Sequence, residues 1–227
     1  MSLAPDARLQ RPTALLFDLD GTLVDSRRDI ADACNAARAS HGLPPLPFDA
    51  IMLMVGDGAR ALVARAFDTD PGSPLADAAL ATFKETYLAR PAASTVLLPG
   101  AREILELARV EDLPCAVVTN KPRDVTMLLL EALGLGLYFR AIWGGGDGPL
   151  KPSPAGVHDA LGRLGVSPGG AWMIGDGPQD IGAGKAAGCF TVGVPGIAER
   201  ERLLAAEPDL VCGSLVELAD VLRRAAP

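Results

Sequence analysis

The sequence contains few of the residues that build disulfide frameworks or zinc sites. Its 227 residues include four cysteines and two histidines. The cysteines are widely separated and form no CxxC pair: Cys34, Cys115, Cys189 and Cys212. His41 and His158 also lack the close spacing that is typical of metal ligands. This pattern argues against both kinds of site and predicts reduced, buried thiols, as in cytosolic proteins.

Long apolar runs are also missing. No stretch approaches the roughly 18 uninterrupted apolar residues that a membrane-spanning helix needs. Residues 1–12 are polar, contain Pro5 and Pro12, and lack the apolar central run of a secretory signal. We therefore expect a cytoplasmic protein that has no membrane partner.

Positive charge is in deficit. The formal net charge is -7, and the pI is about 4.9. An acidic surface repels phosphate backbones, so we expect no nucleic-acid partner. A small anionic ligand remains compatible with this composition, because only the local field inside its pocket has to be positive.

The chain alternates between short apolar runs and longer amphipathic stretches. Six runs predict buried strands: 14–17, 115–118, 141–143, 171–174, 190–194 and 210–212. Five stretches between or after them predict helices: 102–109, 124–133, 155–164, 179–187 and 214–224. Ser214 and Glu217 match a capping box at the start of the last helix. This alternation predicts an α/β fold, with a Rossmann-like parallel sheet and helices on both faces.

One segment interrupts the alternation. Residues 26–90 contain helical patterns, at 29–40, 58–67 and 76–88, and no convincing strand. We interpret this segment as a small all-helical domain inserted after the first strand. The predicted division assigns residues 1–24 and 92–227 to the α/β core and residues 25–91 to the helical insertion.

Polar side chains follow the predicted strands, where an open parallel sheet binds its ligands. The segments concerned are Asp18-Leu19-Asp20-Gly21-Thr22, Thr119-Asn120-Lys121, Lys151-Pro152 and Gly175-Asp176, with Asp180 four residues further on. Several unpaired carboxylates at one edge are costly unless a cation or an anionic ligand balances them. The pattern therefore favours a ligand site over a purely structural role.

The carboxylates predict a magnesium site. Asp18, Asp20 and Asp176 offer hard oxygen ligands, and Mg²⁺ prefers a few carboxylates together with waters and phosphate oxygens.

The remaining groups predict a phosphate site beside the metal. Lys151 supplies positive charge, and Thr119 and Asn120 supply a hydroxyl and an amide donor. Backbone N–H groups around Gly21 and Thr22 can add further donors, because glycine allows close approach. A nucleophile, a metal and donors aimed at equatorial oxygens are the parts that phosphoryl transfer requires.

Taken together, these motifs resemble the haloacid dehalogenase superfamily, in its phosphatase branch with a helical cap. The motifs are FDLDGTLVDS at 17–26, VVTNK ending at Lys121, the lysine of Lys151-Pro152, and GDGPQD at 175–180. Gly177 lies where that family often has serine. Further stretches, including HGLPPL at 41–46 and VGDGARALVARAF at 55–67, are most similar to bacterial phosphoglycolate phosphatases. The resemblance covers nearly the whole chain.

The resemblance implies a mechanism in two steps. Asp18 attacks phosphorus and forms an aspartyl-phosphate. Asp20 gives a proton to the leaving alkoxide and later takes one from the attacking water. The implied metal ligands are Asp18, Asp176 and the backbone carbonyl of Asp20.

The resemblance also implies roles for groups around the phosphate. Lys151 and Thr119 hold the transferring phosphoryl group, and Asp180 orients Lys151 or a metal-bound water. In the predicted cap, Arg60 or another basic residue faces the carboxylate of the substrate.

Several alternatives remain open at this point. The implied substrate is a small phosphorylated metabolite, 2-phosphoglycolate first, with a sugar phosphate or pyrophosphate as the alternative. A phosphomutase on the same scaffold also fits the motifs. A dehalogenase needs the first aspartate but neither a metal nor a general acid, so Asp20 argues against it. A catalytically silent binding protein is disfavoured, because no motif residue is missing. The sequence leaves a monomer and a homodimer equally open.

Overall fold

A parallel sheet of six strands lies at the centre of the structure, a computed structural model that describes residues 9–195 and 200–225. The strands of the described residues are, in chain order, β1 (Ala14–Phe17), β2 (Val24–Asp25), β3 (Val96–Leu97), β4 (Cys115–Pro122), β5 (Phe139–Gly145), β6 (Ala171–Gly175), β7 (Phe190–Gly193) and β8 (Leu210–Val211). The six sheet strands have the order β5-β4-β1-β6-β7-β8, and every neighbouring pair is parallel. The predicted fold class is confirmed.

The two faces of the sheet bury different side chains of the same strand. On β1, Leu15 and Phe17 belong to one hydrophobic cluster, whereas Ala14 and Leu16 belong to another. Successive side chains of a strand point to opposite faces, so an uninterrupted apolar run requires cover on both sides. Helices provide that cover, which explains why the strand sequences show no polar alternation.

Ten α-helices complete the described part of the chain. They are α1 (Arg27–Ser40), α2 (Phe48–Met52), α3 (Ala59–Ala66), α4 (Pro74–Ala89), α5 (Ala101–Val110), α6 (Arg123–Ala132), α7 (Ala155–Leu164), α8 (Pro178–Ala187), α9 (Arg200–Ala205) and α10 (Leu215–Arg224). The sequence pattern predicts eight of them to within a few residues. It misses α2 and α9, because helices of five and six residues are too short to display a clear period.

The predicted capping box of α10 forms only in part. The hydroxyl of Ser214 accepts a hydrogen bond from the N–H of Glu217 at 3.2 Å. The carboxylate of Glu217 accepts from the N–H of Gly213 at 2.6 Å, one residue before the position that a capping box uses. Both bonds satisfy backbone donors at the start of the helix.

The helices α1 to α4 lie within the predicted insertion and have a hydrophobic cluster of their own. Its large members include Ile51, Leu62, Phe67, Phe83 and Tyr87. The cluster also includes Val125 of α6, so the insertion packs against the core. The division into two domains at residues 25 and 91 remains an interpretation.

A short antiparallel pair, β2 with β3, lies where the chain leaves and re-enters the core. The sequence pattern does not predict it, because two-residue strands carry no periodicity. Beside the pair, the carboxylate of Asp29 accepts hydrogen bonds from the N–H groups of Ser94 and Thr95 and from the Thr95 hydroxyl, at 2.6–3.0 Å. These bonds tie the two connecting segments together.

Two further expectations concern cysteines and membrane helices. All four cysteines are buried and unpaired, as predicted. Burial raises the pKa of the Cys115 thiol to about 12, so the thiol remains protonated at neutral pH. Of the helices that the structure describes, none combines the length and the apolar character needed to cross a membrane.

Candidate active site

The candidate site lies at the carboxyl ends of three neighbouring strands. Asp18 directly follows β1, and its N–H donates to the carbonyl of Ile174 on β6 at 2.9 Å. Thr119 lies within β4, and Asp176 directly follows β6. Because β1 pairs with both β4 and β6, the sheet brings these side chains to one edge.

A cluster of three buried carboxylates forms the centre of the site. One oxygen from each of Asp18, Asp176 and Asp180 lies within 4.8 Å of the others. The ammonium of Lys151 lies among them, 2.7 Å from Asp18 Oδ1 and 2.6 Å from Asp180 Oδ1. Its third hydrogen bond goes to the carbonyl of Val118 at 2.7 Å. All the donors of Lys151 are therefore used.

The glycine after Asp20 makes room for a carboxylate of the cluster. A Cβ atom at Gly21 would lie 2.2 Å from Asp176 Oδ2. The φ angle of Gly21 is +90°, a conformation that glycine adopts most easily. The hydroxyl of Thr22 donates to Asp176 Oδ1 at 3.3 Å. The N–H groups of Gly21 and Thr22 donate to the carbonyls of Val24 and Leu19, at 2.8 and 3.4 Å. They serve a tight turn, which differs from the expectation that they bind phosphate.

Burial and mutual repulsion make the carboxylates reluctant to ionise. Burial raises the pKa of Asp18 to about 6, although Lys151 opposes the shift. Burial also raises the pKa of Asp176 well above its usual value, and the charges of Asp180 and Asp18 add to the rise. For Lys151, burial opposes the charged form, but attraction by Asp18 and Asp180 outweighs it and raises the pKa.

Asp20 has a different set of partners. Its two carboxylate oxygens accept from the ammonium of Lys121 at 3.1 and 3.0 Å, and Oδ1 also accepts from the hydroxyl of Ser26 at 2.5 Å. Ser26 precedes the first turn of α1, where a serine usually caps the helix; here it makes no cap bond. The third donor of Lys121 contacts the hydroxyl of Tyr87 at 3.0 Å.

Lys121 is the member of the site that sequence reasoning missed. It is adjacent to Thr119 and Asn120 in the VVTNK motif, but nothing in a local pattern distinguishes a buried lysine from a solvated one. The sequence signal for a second buried lysine was the balance of charged residues at this edge of the sheet. Four aspartates need more positive charge than Lys151 alone can supply.

Asn120 makes structural bonds rather than presenting a free amide. Its Nδ2 donates to the carbonyls of Gly56 and Lys151, both at 3.1 Å, and its Oδ1 accepts from the N–H of Lys151 at 2.8 Å. Both donors and the acceptor are therefore engaged. We expected this side chain to bind phosphate. In the structure it instead positions Lys151 and contacts the helical insertion.

Arg60 is not brought to the carboxylate cluster. Its guanidinium donates to the carbonyl of Pro71 and to Asp77 Oδ1, both at 2.8 Å, on an exposed part of the helical insertion. Both partners belong to the insertion, because Pro71 lies between α3 and α4 and Asp77 lies in α4.

Sequence comparison identifies the family. The profile of the family described as haloacid dehalogenase-like hydrolase matches residues 15–194, which include every strand end described above. The chain belongs to this family. A phosphoglycolate phosphatase of Chromobacterium violaceum is 38% identical over 221 residues, covering 95% of this chain and 98% of that protein. A phosphoglycolate phosphatase of Rhodospirillum rubrum is 40% identical over 185 residues, covering 78% of this chain and 77% of that protein.

Solved structures have the same fold. A predicted phosphoglycolate phosphatase from Haemophilus somnus superposes with a TM-score of 0.83 at 30% identity, covering 93% of this chain and 96% of that one. CbbY from Rhodobacter sphaeroides, crystallised with phosphate, gives a TM-score of 0.79 at 27% identity and covers 91% of this chain and 96% of that one. The six-stranded sheet is thus that of the family.

The donor set of this haloacid dehalogenase-like site fits a divalent cation. Its four aspartates, Asp18, Asp20, Asp176 and Asp180, face two ammonium groups, which leaves two negative charges unbalanced. The carboxylates are hard oxygen donors of the kind that Mg²⁺ prefers. Burial is the main cause of the raised pKa values of Asp18 and Asp176, and the charge of Asp180 adds to both rises.

Proposed function

We propose that the chain is a magnesium-dependent phosphomonoester hydrolase that acts through an aspartyl-phosphate on Asp18. The observation that carries the proposal is the position of Asp18. It follows the central strand, contacts the buried ammonium of Lys151 at 2.7 Å, and shares an oxygen cluster with Asp176 and Asp180. A carboxylate nucleophile beside fixed positive charge is what attack on phosphorus requires.

The first step uses the two oxygens of Asp18 differently. Lys151 contacts Oδ1, whereas no hydrogen bond from the described residues reaches Oδ2. We infer that Oδ2 attacks phosphorus. Lys151 then neutralises the charge beside the transferring group, and the hydroxyl of Thr119, which accepts from the N–H of Lys121 at 3.3 Å, still has its own proton to donate. Asp180 keeps Lys151 in place.

Asp20 is suited to moving protons rather than to attack. Its carboxylate is held by Lys121 and Ser26 and is separate from the oxygen cluster of Asp18, Asp176 and Asp180. It lies two residues from the nucleophile, so it can reach the leaving oxygen of a bound ester. We assign it the proton that the leaving alkoxide takes and the proton that the attacking water later gives up.

Asp18, Asp176 and the backbone carbonyl of Asp20 are the residues that we propose to hold Mg²⁺. When bound, the ion supplies charge that offsets the phosphoryl oxygens and keeps Asp18 ionised near neutral pH. Burial raises the pKa values of Asp18 and Asp176, and a cation bound between them would favour the ionised forms.

The proposed substrate is 2-phosphoglycolate, hydrolysed to glycolate and phosphate. The relatives from Chromobacterium violaceum and Rhodospirillum rubrum are named phosphoglycolate phosphatases. A sugar phosphate is the second candidate, because CbbY from Rhodobacter sphaeroides has also been crystallised with xylulose-1,5-bisphosphate and has the same fold. The cytoplasmic location and the monomer or homodimer state remain predictions.

Phosphate release tests the proposal. We expect rapid release from 2-phosphoglycolate with Mg²⁺, slower release from sugar phosphates and pyrophosphate, and none with EDTA. Asp18→Asn should abolish turnover while thermal melting remains close to that of the wild type. Asp209→Asn is the matched control, because among the described residues the hydrogen bonds of Asp209 go to Thr191, so activity should remain intact. Full activity in EDTA, or in Asp18→Asn, would contradict the proposal.

A further inference from the structure

A residue of the helical insertion contacts the charged group that holds Asp20. Tyr87 lies near the end of α4 and is 3% exposed. Its hydroxyl accepts from Lys121 Nζ at 3.0 Å, and the same nitrogen lies 4.4 Å from the centroid of its ring. Lys121 belongs to β4 of the core. The insertion therefore contributes directly to the position of this ammonium group.

The ammonium of Lys121 has no donor to spare. It has three N–H groups, and its acceptors are the Tyr87 hydroxyl and the two oxygens of Asp20. The side chain is only 4% exposed, so water offers little replacement for a lost partner. An unmatched buried donor is costly, and loss of the Tyr87 hydroxyl should therefore shift the ammonium away from its present place.

The contacts distinguish the two oxygens of Asp20. Oδ1 accepts from both Ser26 and Lys121, whereas Oδ2 accepts from Lys121 alone. Each carboxylate oxygen has about two lone-pair sites, so the open site is on Oδ2. The side chain is 21% exposed and is not enclosed by its partners. The geometry thus selects Oδ2 as the oxygen that carries the transferable proton.

We propose that Tyr87 is a positioning residue for proton transfer: it fixes Lys121, and Lys121 directs Asp20 Oδ2 towards the leaving oxygen. The inference rests on the proposed function. In the step concerned, an oxygen of Asp18 bonds to phosphorus, the bond from phosphorus to the leaving oxygen breaks, and the proton of Oδ2 passes to that oxygen. Neither Tyr87 nor Lys121 gains or loses a proton.

The basicity of the leaving group separates this role from a structural one. The leaving group of 2-phosphoglycolate is an alkoxide, which is strongly basic and needs a proton in order to depart. The leaving group of acetyl phosphate is acetate, a far weaker base that can depart without one. Both substrates are small and of similar size. The value of kcat/KM reports only the steps up to departure of the leaving group, so it excludes the later hydrolysis of the aspartyl-phosphate.

The test compares Tyr87→Phe with the wild type on both substrates, in the presence of Mg²⁺. We expect kcat/KM to fall about tenfold or more for 2-phosphoglycolate and less than about threefold for acetyl phosphate, within the range of general acid catalysis. Lys121→Met should produce the same selective loss, and it provides a second variant if Tyr87→Phe melts much lower than the wild type.

Two controls isolate the effect. Tyr138→Phe makes the same chemical change elsewhere, where the hydroxyl contacts Glu106, and should leave both substrates unaffected. Lys84→Gln removes the ion pair between Lys84 Nζ of α4 and Asp124 Oδ2 of α6, at 2.5 Å, and does not change the contacts of Lys121. It therefore tests only how firmly the insertion is held against the core. It should not change the ratio between the substrates.

An equal loss on both substrates in Tyr87→Phe would overturn the positioning role, and so would no loss at all. A selective loss in Lys84→Gln as large as that in Tyr87→Phe would also overturn it. Weaker packing of the insertion against the core would then be enough to explain the loss. A wild-type protein that hydrolyses neither substrate would instead overturn the proposed function on which the inference rests.

Discussion

At the scale of single residues, the site depends on one buried ammonium group that donates hydrogen bonds to three neighbours. The ammonium of Lys151 contacts Asp18, Asp180 and the carbonyl of Val118, and the backbone N–H of Lys151 donates to Asn120 Oδ1. Its side chain is 4% exposed. A charge fixed in this way needs no rearrangement when negative charge develops on a phosphoryl group, which is the condition for strong electrostatic catalysis.

Replacing Lys151 by methionine should therefore remove activity without removing the fold. We expect Lys151→Met to lower kcat/KM for 2-phosphoglycolate by about 100-fold or more, because it removes the fixed positive charge beside the transferring group. It should also destabilise the metal-free protein, because Asp18 and Asp180 lose the charge between them. Steady-state kinetics and thermal melting measure the two effects.

The matched control for this change is Lys185→Met. Lys185 lies in α8 and is exposed, and within the described parts of the chain its ammonium donates to the carbonyl of Ala206 alone, so its loss should alter neither quantity appreciably. A Lys151→Met variant that retains more than about a tenth of the wild-type kcat/KM would show that the ammonium does not stabilise the transferring group.

At the scale of elements, the loop between α2 and α3 connects the insertion to the site edge. Its Gly56 carbonyl accepts from Asn120, and its Asp57 accepts from Gln179 of α8 at 3.0 Å. Gly58 has a φ of +87°, and a Cβ atom there would lie 2.9 Å from Leu150 Cδ1 and 3.3 Å from the carbonyl of Asn120. The loop can approach the core this closely only because residue 58 has no side chain.

Gly58→Ala should therefore loosen the loop. The added methyl group strains the backbone and crowds the segment before Lys151, so the loop should leave the core more often. We expect faster amide hydrogen exchange in residues 55–59 and a higher KM for 2-phosphoglycolate, with a smaller change in kcat. Hydrogen exchange followed by mass spectrometry, together with kinetics, measures both.

Gly42→Ala is the control for backbone strain alone. Gly42 also has a positive φ, +72°, but no atom lies within 4 Å of a Cβ placed there. Gly42→Ala should destabilise the protein by about 1–2 kcal/mol through backbone strain alone, without changing KM. If both variants change KM equally, the close approach of Gly58 to Leu150 and Asn120 has no special role.

At the scale of the whole molecule, the sequence predicts what parallel-sheet geometry determines and misses what depends on domain placement. Asp18, Thr119 and Asp176 could be grouped because strand ends in a parallel sheet meet at one edge. The partners Lys121 and Tyr87 are 34 residues apart in the sequence, and they meet only because α4 packs against the core at α6. Propensity and periodicity describe one element at a time, and so they cannot reveal such a contact.

Contacts between elements also explain the differences at Asn120 and Arg60. Both have side chains that can bind anions, and the motif or the cap position suggested that they do. In the structure, packing assigns Asn120 to Gly56 and Lys151, and it assigns Arg60 to Asp77. The amide of Asn120 is fully engaged by the protein, and Nη1 of Arg60 is held within the insertion. No pattern of residue types can anticipate such contacts.

The charge balance of the molecule makes its stability depend on pH and on metal together. In the metal-free protein, burial raises the pKa of Asp18 from 3.8 to about 6. The folded state therefore binds this proton more tightly than the unfolded state. The resulting stabilisation is complete below about pH 4 and is lost as the pH rises through about 6. For Asp18 this difference is roughly 3 kcal/mol, and Asp176 adds a loss of the same sign.

Because Mg²⁺ takes the place of those protons, it should stabilise the protein far more at about pH 8 than at about pH 5. At 100 times its Kd the ion contributes about 2.7 kcal/mol, which corresponds to roughly 5–10 °C in Tm for a chain of this size. Melting curves at both pH values, with and without MgCl₂, test this. Asp176→Asn should abolish the rise caused by Mg²⁺ and should raise the metal-free Tm at the higher pH, because it removes one buried charge. An equal effect of Mg²⁺ at both pH values would contradict the link between the buried carboxylates and the metal.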